Sequence, residues 1–271
     1  MKYYFLISWF AFATVGHGQS VNTLMGARSA GMGYSSATHK DDAALFNNVG
    51  ALAEIKNTSV FFAYDMQPGL LGANRMAAAF SLPFKFGTAG IGIFKFGDKI
   101  YSEQILSAGF SNKFGIASLG IKANYIQYNA SGFGIKNAVS INFGGIAQIT
   151  KQILVGAYIV NINQSRISED EQLPTKLVAG IGLKPADAFF ISTEIEKDLD
   201  YDARWKLGAE YTIHKKIFVR TGFNLNPSAG YFGIGSKARR LVIDYALSFS
   251  RIPGSTHQLS VAYRIETSNK K

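Results

Sequence analysis

The stretch "ARWKLGAEYTIHKKIFVRTGFNLN", residues 203–226, decides the fold. In its first arm Trp205, Leu207, Ala209, Tyr211 and Ile213 alternate with Lys206, Gly208, Glu210 and Thr212. A basic break follows at His214, Lys215 and Lys216, and the alternation resumes. Ile217, Val219, Thr221, Phe223 and Leu225 then oppose Phe218, Arg220, Gly222 and Asn224. A period of two predicts a β-hairpin with one apolar face and one largely polar face. The question it raises is whether the apolar face meets a packed core or lipid.

Working outward, the same pattern recurs past residue 56. Alternating segments run over 57–65, 74–84, 87–97, 103–111, 115–128, 135–149, 153–163, 175–184, 189–197, 203–213, 217–226, 230–236, 240–251 and 257–266. That makes about 14 strands, an even number, as single-chain bacterial outer-membrane barrels have. Every second connection is short, as in "FKFG", "HKK" and "SKARR". The intervening ones, such as "DMQPGLLGAN" and "NQSRISEDEQLP", are longer and rich in turn-forming residues. Short periplasmic turns and longer outer loops are the membrane-barrel pattern. The segments "SVFFAY", "RMAAAFSLPF" and "ILVGAYIVNI" are apolar on both faces, so their inner faces need a cover.

Composition agrees. Charged residues make up 17% of the 271, against about a quarter in soluble domains. A soluble sandwich would place more charge on its polar face. Here that face is rich in Gly, Ser, Ala and Asn with isolated charges of both signs, which suits a crowded lumen. No segment after the N-terminus has the ~20 apolar residues of a membrane helix. The fold expected is all-β: a transmembrane antiparallel barrel over 57–266. Lys2, an apolar run and small residues at Gly16 and Gly18 predict a signal peptide over 1–18. A plug follows over 19–56, and 267–271 form a tail. There is no cysteine, so no disulfide, thiolate metal site or lipoprotein anchor is expected.

The net charge of +10 is spread over turns and alternate strand positions, including Lys85, Lys113, Lys151, Lys184, Lys215, Lys216, Lys237, Arg239 and Arg240. A nucleic-acid binder would gather such charge into one patch. Solvated turns, facing anionic lipid headgroups, are the reading here. Pairing Ile213 with Ile217 across the "HKK" turn puts Glu210 beside Arg220 and Lys206 beside Asn224. Between the last two strands, Asp244 is expected opposite Arg264. Such lumen pairs rigidify a filled barrel.

Residues 20–56, "SVNTLMGARSAGMGYSSATHKDDAALFNNVGALAEIK", have no period of two. Asp41 and Asp42 before "AALFNN" predict a short helix with acidic residues near its start. Gly26, Gly31 and Gly33 predict tight turns or close backbone packing, and the apolar content predicts a segment lodged in the barrel mouth. Gly26, Ala27, Arg28, Gly31, Met32, Gly33, Asp42, Ala44, Asn47, Gly50, Leu52 and Ala53 resemble the N-terminal signature of the PorV/PorQ-like outer-membrane proteins of Bacteroidota, distant relatives of the FadL fatty-acid transporters. Asn48 and Val49 replace that family's usual Pro-Ala. The resemblance implies a 14-stranded barrel with an N-terminal plug. It also implies a role in type IX secretion or surface attachment, with secretion-system proteins or exported cargo as partners.

Catalytic and metal chemistry is not expected. His17, His39, His214 and His257 form no HExxH or paired-His pattern, so no metal site and no cofactor is predicted. His257 near Ser255 and Ser260 has no acidic orienter placed by sequence. The acidic run 168–172 reads as a solvated loop. Three functions remain: first a non-enzymatic secretion or attachment component, alternatively a FadL-like transporter of a small hydrophobic ligand, and last an outer-membrane enzyme. Outer-membrane lipid is the surrounding partner in all three.

Overall fold

The computed structural model describes residues 22–168, 171–251 and 254–265. The expected signal peptide and C-terminal tail lie outside them. A short helix α1 (Ala27–Gly31) and a 3-10 turn (Val49–Glu54) come first. Fourteen strands follow: β1 (Thr58–Met66), β2 (Arg75–Phe84), β3 (Gly87–Gly97), β4 (Tyr101–Phe114), β5 (Ala117–Ala130), β6 (Gly134–Gln148) and β7 (Ile153–Val160), then β8 (Lys176–Ala186), β9 (Phe189–Asp198), β10 (Arg204–Ile213), β11 (Ile217–Leu225), β12 (Ala229–Ala238), β13 (Leu241–Ser250) and β14 (Ser255–Ile265). Each pairs antiparallel with its chain neighbours, and β1 closes on β14 from Thr58 opposite Ile265 to Met66 opposite His257. Closure removes the sheet edge. In hydrocarbon each unpaired N–H or C=O costs several kcal/mol, so a spanning sheet must close.

The alternation sets the two faces. On the opening hairpin, Trp205, Leu207, Tyr211, Val219, Phe223 and Leu225 point outward and are exposed. Lys206, Gly208, Glu210 and Arg220 point inward. Large apolar side chains, each close to half exposed, recur around the whole outer wall. That is the surface of a barrel of the outer-membrane type. All six connections at one end have two to four residues. At the other end they run from three residues, as at 98–100 and 131–133, to the longest at 161–175, so the expected longer outer loops are only partly present. The cationic side chains of Lys85, Lys113, Lys151, Lys184, Lys215, Lys216, Lys237 and Arg239 are exposed at the short-turn end.

The apolar inner faces are covered by the N-terminal segment, which lies inside the barrel. Phe61 of β1 stacks on Phe46 at 6.2 Å between ring centroids. Ala77 and Ala79 of β2, and Leu154 and Tyr158 of β7, are buried. Small inner residues make the room: a Cβ on Gly50 would stand 2.6 Å from the Gly145 Cα, so backbone meets backbone there.

The helix expected at "AALFNN" does not form; residues 41–47 are turns. The side chains that would cap or continue a helix are committed elsewhere. Asp41 Oδ1 accepts from the Ala43 N–H at 3.1 Å, an Asx turn. Asn47 bonds both the N–H and the carbonyl of Met25, at 3.2 and 3.0 Å. The helix lies earlier, at Ala27–Gly31, capped by Met32, and is followed by a turn at Gly33, whose φ is +66°.

Candidate functional site: a plugged lumen with two cavities

The plug is tied to the wall by charge. Arg28 grips the Glu210 carboxylate with Nε and Nη2 at 2.9 and 2.8 Å, and its Nη1 reaches Asp41 at 3.2 Å. Glu210 also accepts from Arg220 Nε at 2.6 Å, and Arg220 Nη1 reaches Asp244 at 2.7 Å. The β10–β11 register sets Glu210 opposite Arg220 and Lys206 opposite Asn224. Bidentate, charge-assisted bonds of this kind are shorter and stronger than neutral ones.

Arg264 departs from expectation. Asp244 stands opposite Ser260, not Arg264, because β14 starts at Ser255 and Phe249 already faces that residue. The pairing is thus slipped by four residues from the expected one. Arg264 lies nearer the short-turn end and holds plug residue Asp42 instead, at 2.7 and 3.0 Å.

The remaining motif residues lie in the same plug. Gly26 sits with Phe61, and the Ala27 N–H donates to Ser260 Oγ at 3.0 Å. Gly31 packs on Gly233, and Met32, fully buried, sets its carbonyl against Gly208. Asn48, at the position where the resemblance expects proline, is a polar tie that sequence reasoning missed. Its Nδ2 donates to the carbonyls of Ala37 and Gly145 at 2.7 and 2.9 Å, while its Oδ1 accepts from the Gly50 N–H at 3.0 Å. On the neighbouring wall Lys206 bridges Glu194 and Glu196 at 2.7 and 2.6 Å, and Glu194 accepts from the Ala37 N–H at 2.7 Å.

Two plug residues have shifted ionisation. Burial, then the Arg28 guanidinium, holds the His39 imidazole well below its ordinary value, so it is neutral. Glu54 is opposed by burial. The bonds from Lys113, Ser118 and Lys40, at 3.0, 2.8 and 3.0 Å, outweigh that and hold its carboxyl down at about 2.

Two cavities flank the plug and share no lining residue. The upper one, about 850 Å³ with its open mouth included, lies toward the long-loop end. Phe46, Phe94, Ile105, Ile126 and Val178 give it apolar patches, and Asn47, Lys122, Asn124, Asn142 and Glu196 are among the polar residues between them. The lower one, about 710 Å³ measured in the same way, lies toward the short-turn end against Arg28, Asp42, Glu210, Arg220 and Arg264. A partly apolar chamber above and a charged one below, with a polar-anchored plug between, make a plugged lumen rather than an open pore.

The local hydrolase candidate is not assembled. His257 is partnered by the Tyr245 hydroxyl at 2.6 Å, whereas Ser260 is buried in the lumen under the Ala27 N–H. Positions 257 and 260 face opposite sides of β14. Among the described residues no cluster of three His, Asp or Glu is placed to hold a metal.

No protein-family model matches the chain, and no curated protein matches it in sequence. Solved structures do match it in fold. The toluene transporter TbuX of Ralstonia pickettii superposes with a TM-score of 0.71 at 13% identity, over 90% of this chain and 99% of that one. The CymD monoaromatic hydrocarbon channel gives 0.70 at 15% identity, over 95% and 100%. The toluene transporter TodX of Pseudomonas putida gives 0.67 at 12% identity, over 91% and 100%. The secretion role implied by the N-terminal motif finds no support in these similarities. At such identities the likeness is one of architecture: this chain has the fold of 14-stranded hydrocarbon channels.

Proposed function

We propose that this chain is a non-enzymatic outer-membrane protein that admits small hydrophobic molecules, with the short turns in the periplasm and the N-terminal segment as its plug. The observation that carries this reading is the partly apolar upper cavity, which opens toward the long loops and is closed below by the plug. A filled docking barrel has no need of such a chamber. The neighbours of like fold are named as a toluene transporter and a monoaromatic hydrocarbon channel, which favours the same reading.

PorV/PorQ membership and service to type IX secretion rest on the motif in the plug alone. Most of those residues are buried, and Ala27, Arg28 and Asp42 are taken up by plug-to-wall contacts, which leaves only Arg28 and Ala53 partly exposed. The test is uptake. A deletion strain should take up radiolabelled toluene or naphthalene more slowly than its parent at low external concentration, and the gene should restore the rate. Equal uptake in both strains, with loss of secreted proteins from the cell surface of the mutant, would overturn the reading in favour of secretion.

A further inference from the structure

The upper cavity holds a charge that a plain hydrocarbon would leave unused. Lys122 reaches into it from β5 and is 5% exposed. Its Nζ donates to the Leu45 carbonyl at 2.8 Å, and no carboxylate of the described residues pairs with it. An ammonium has three N–H donors, so two remain for another acceptor. A buried ammonium without a counter-charge is costly unless something supplies that acceptor.

The polar groups nearest in register do not supply it. Asn124 accepts from Ser107 Oγ at 2.7 Å and donates to Ser140 Oγ at 3.0 Å. Asn142 accepts from the Asn161 N–H at 3.0 Å. The acids that line the cavity belong to its mouth. Glu103 stands opposite Tyr128, six positions along β5 from Lys122 and therefore roughly 20 Å away along the strand. Glu196 is already held by Lys206 at 2.6 Å and Lys176 at 3.6 Å. Among the described residues the chamber thus has its acids toward the long-loop end, with Lys176 beside Glu196, and Lys122 deeper with no carboxylate partner.

We propose that the upper cavity takes a small carboxylate amphiphile, a ring-sized apolar body bearing one carboxylate, with its head on Lys122. The two carboxylate oxygens match the two free donors of the ammonium. The body lies against Phe46, Phe94, Ile105 and Ile126, which line the same chamber. This rests on the transport reading and narrows its substrate class from hydrocarbon to aromatic or alicyclic acid.

The test uses the purified full-length barrel in detergent at pH 7.5. 4-Ethylbenzoate and its neutral counterpart 4-ethyltoluene compete against a fluorescent naphthalene probe. Wild type should bind the acid about tenfold more tightly than the hydrocarbon. Lys122→Met, which keeps the unbranched stem, should abolish that preference and leave 4-ethyltoluene within about twofold. Lys122→Arg should restore it, and heat-modifiable migration in gels checks that both variants form closed barrels. If wild type binds both ligands equally, the acid class is wrong; if Lys122→Met keeps the preference, the head does not sit on Lys122; in both cases transport stands. If neither ligand competes, the transport reading itself falls.

Discussion

Asn48→Ala measures how firmly the plug is seated. The substitution deletes three hydrogen bonds: two donated to the Ala37 and Gly145 carbonyls and one accepted from the Gly50 N–H. Asn48 is fully buried, so water does not replace them in the docked state. At about 1 kcal/mol net for each bond the loss is roughly 3 kcal/mol. With about 1.4 kcal/mol per factor of ten, the undocked population should rise about 100-fold. Amide hydrogen exchange reads this directly, because exchange through local opening scales with the open fraction. The amide to follow is that of Ala37, which donates to Glu194 and not to Asn48, so its own acceptor survives the change. Strand amides across the β1–β14 seam should keep their protection. An Ala37 amide that speeds up by less than about tenfold, in a barrel whose seam is intact, would refute the claim that Asn48 anchors the plug.

Three further outcomes follow from the same geometry. Gly50→Val places its Cβ within 2.6 Å of the Gly145 Cα, so the plug should unseat and planar-bilayer recordings should show open-channel current that wild type lacks. Glu54 has its carboxyl pulled from 4.5 down to about 2, so its ties to Lys40 and Lys113 should hold in full above about pH 4.5 and be lost as pH falls toward about 2. Carboxyl NMR that shows Glu54 titrating near 4.5 would contradict those ties. Leu207→Arg puts a cation on the outward face of β10 and should lower refolding stability in lipid vesicles by about 2–4 kcal/mol if that site is near the bilayer midplane, where a soluble sheet would tolerate it.

What was legible in the sequence was whatever depends on local period and short turns. The residues chosen for the two faces of β10 and β11 lie on those faces, because a three-residue turn leaves little freedom in register. The hairpin joining β13 and β14 shows the limit. "RIPGST" permits several pairings, and the one adopted moves Arg264 out of reach of Asp244 and onto Asp42. The path of the plug was not legible, since it has no period and its turns are set by wall contacts distant in sequence. The isolation of Lys122 was hidden for the same reason: alternation shows that it faces the lumen, but only the fold shows that no carboxylate of the described residues pairs with it.

The way the plug spans the lumen has a mechanical side. Helix α1 touches β11 through β14, and the 3-10 turn Val49–Glu54 touches β3 through β6. Those two groups of strands lie across the ring from one another, with β1 and β2 on one flank and β7 through β10 on the other. The segment therefore works as a cross-brace, and flattening the ring into an oval along or across that line strains its fastenings. A change in the outline of the wall therefore bears on the stopper at the centre without any ligand between them.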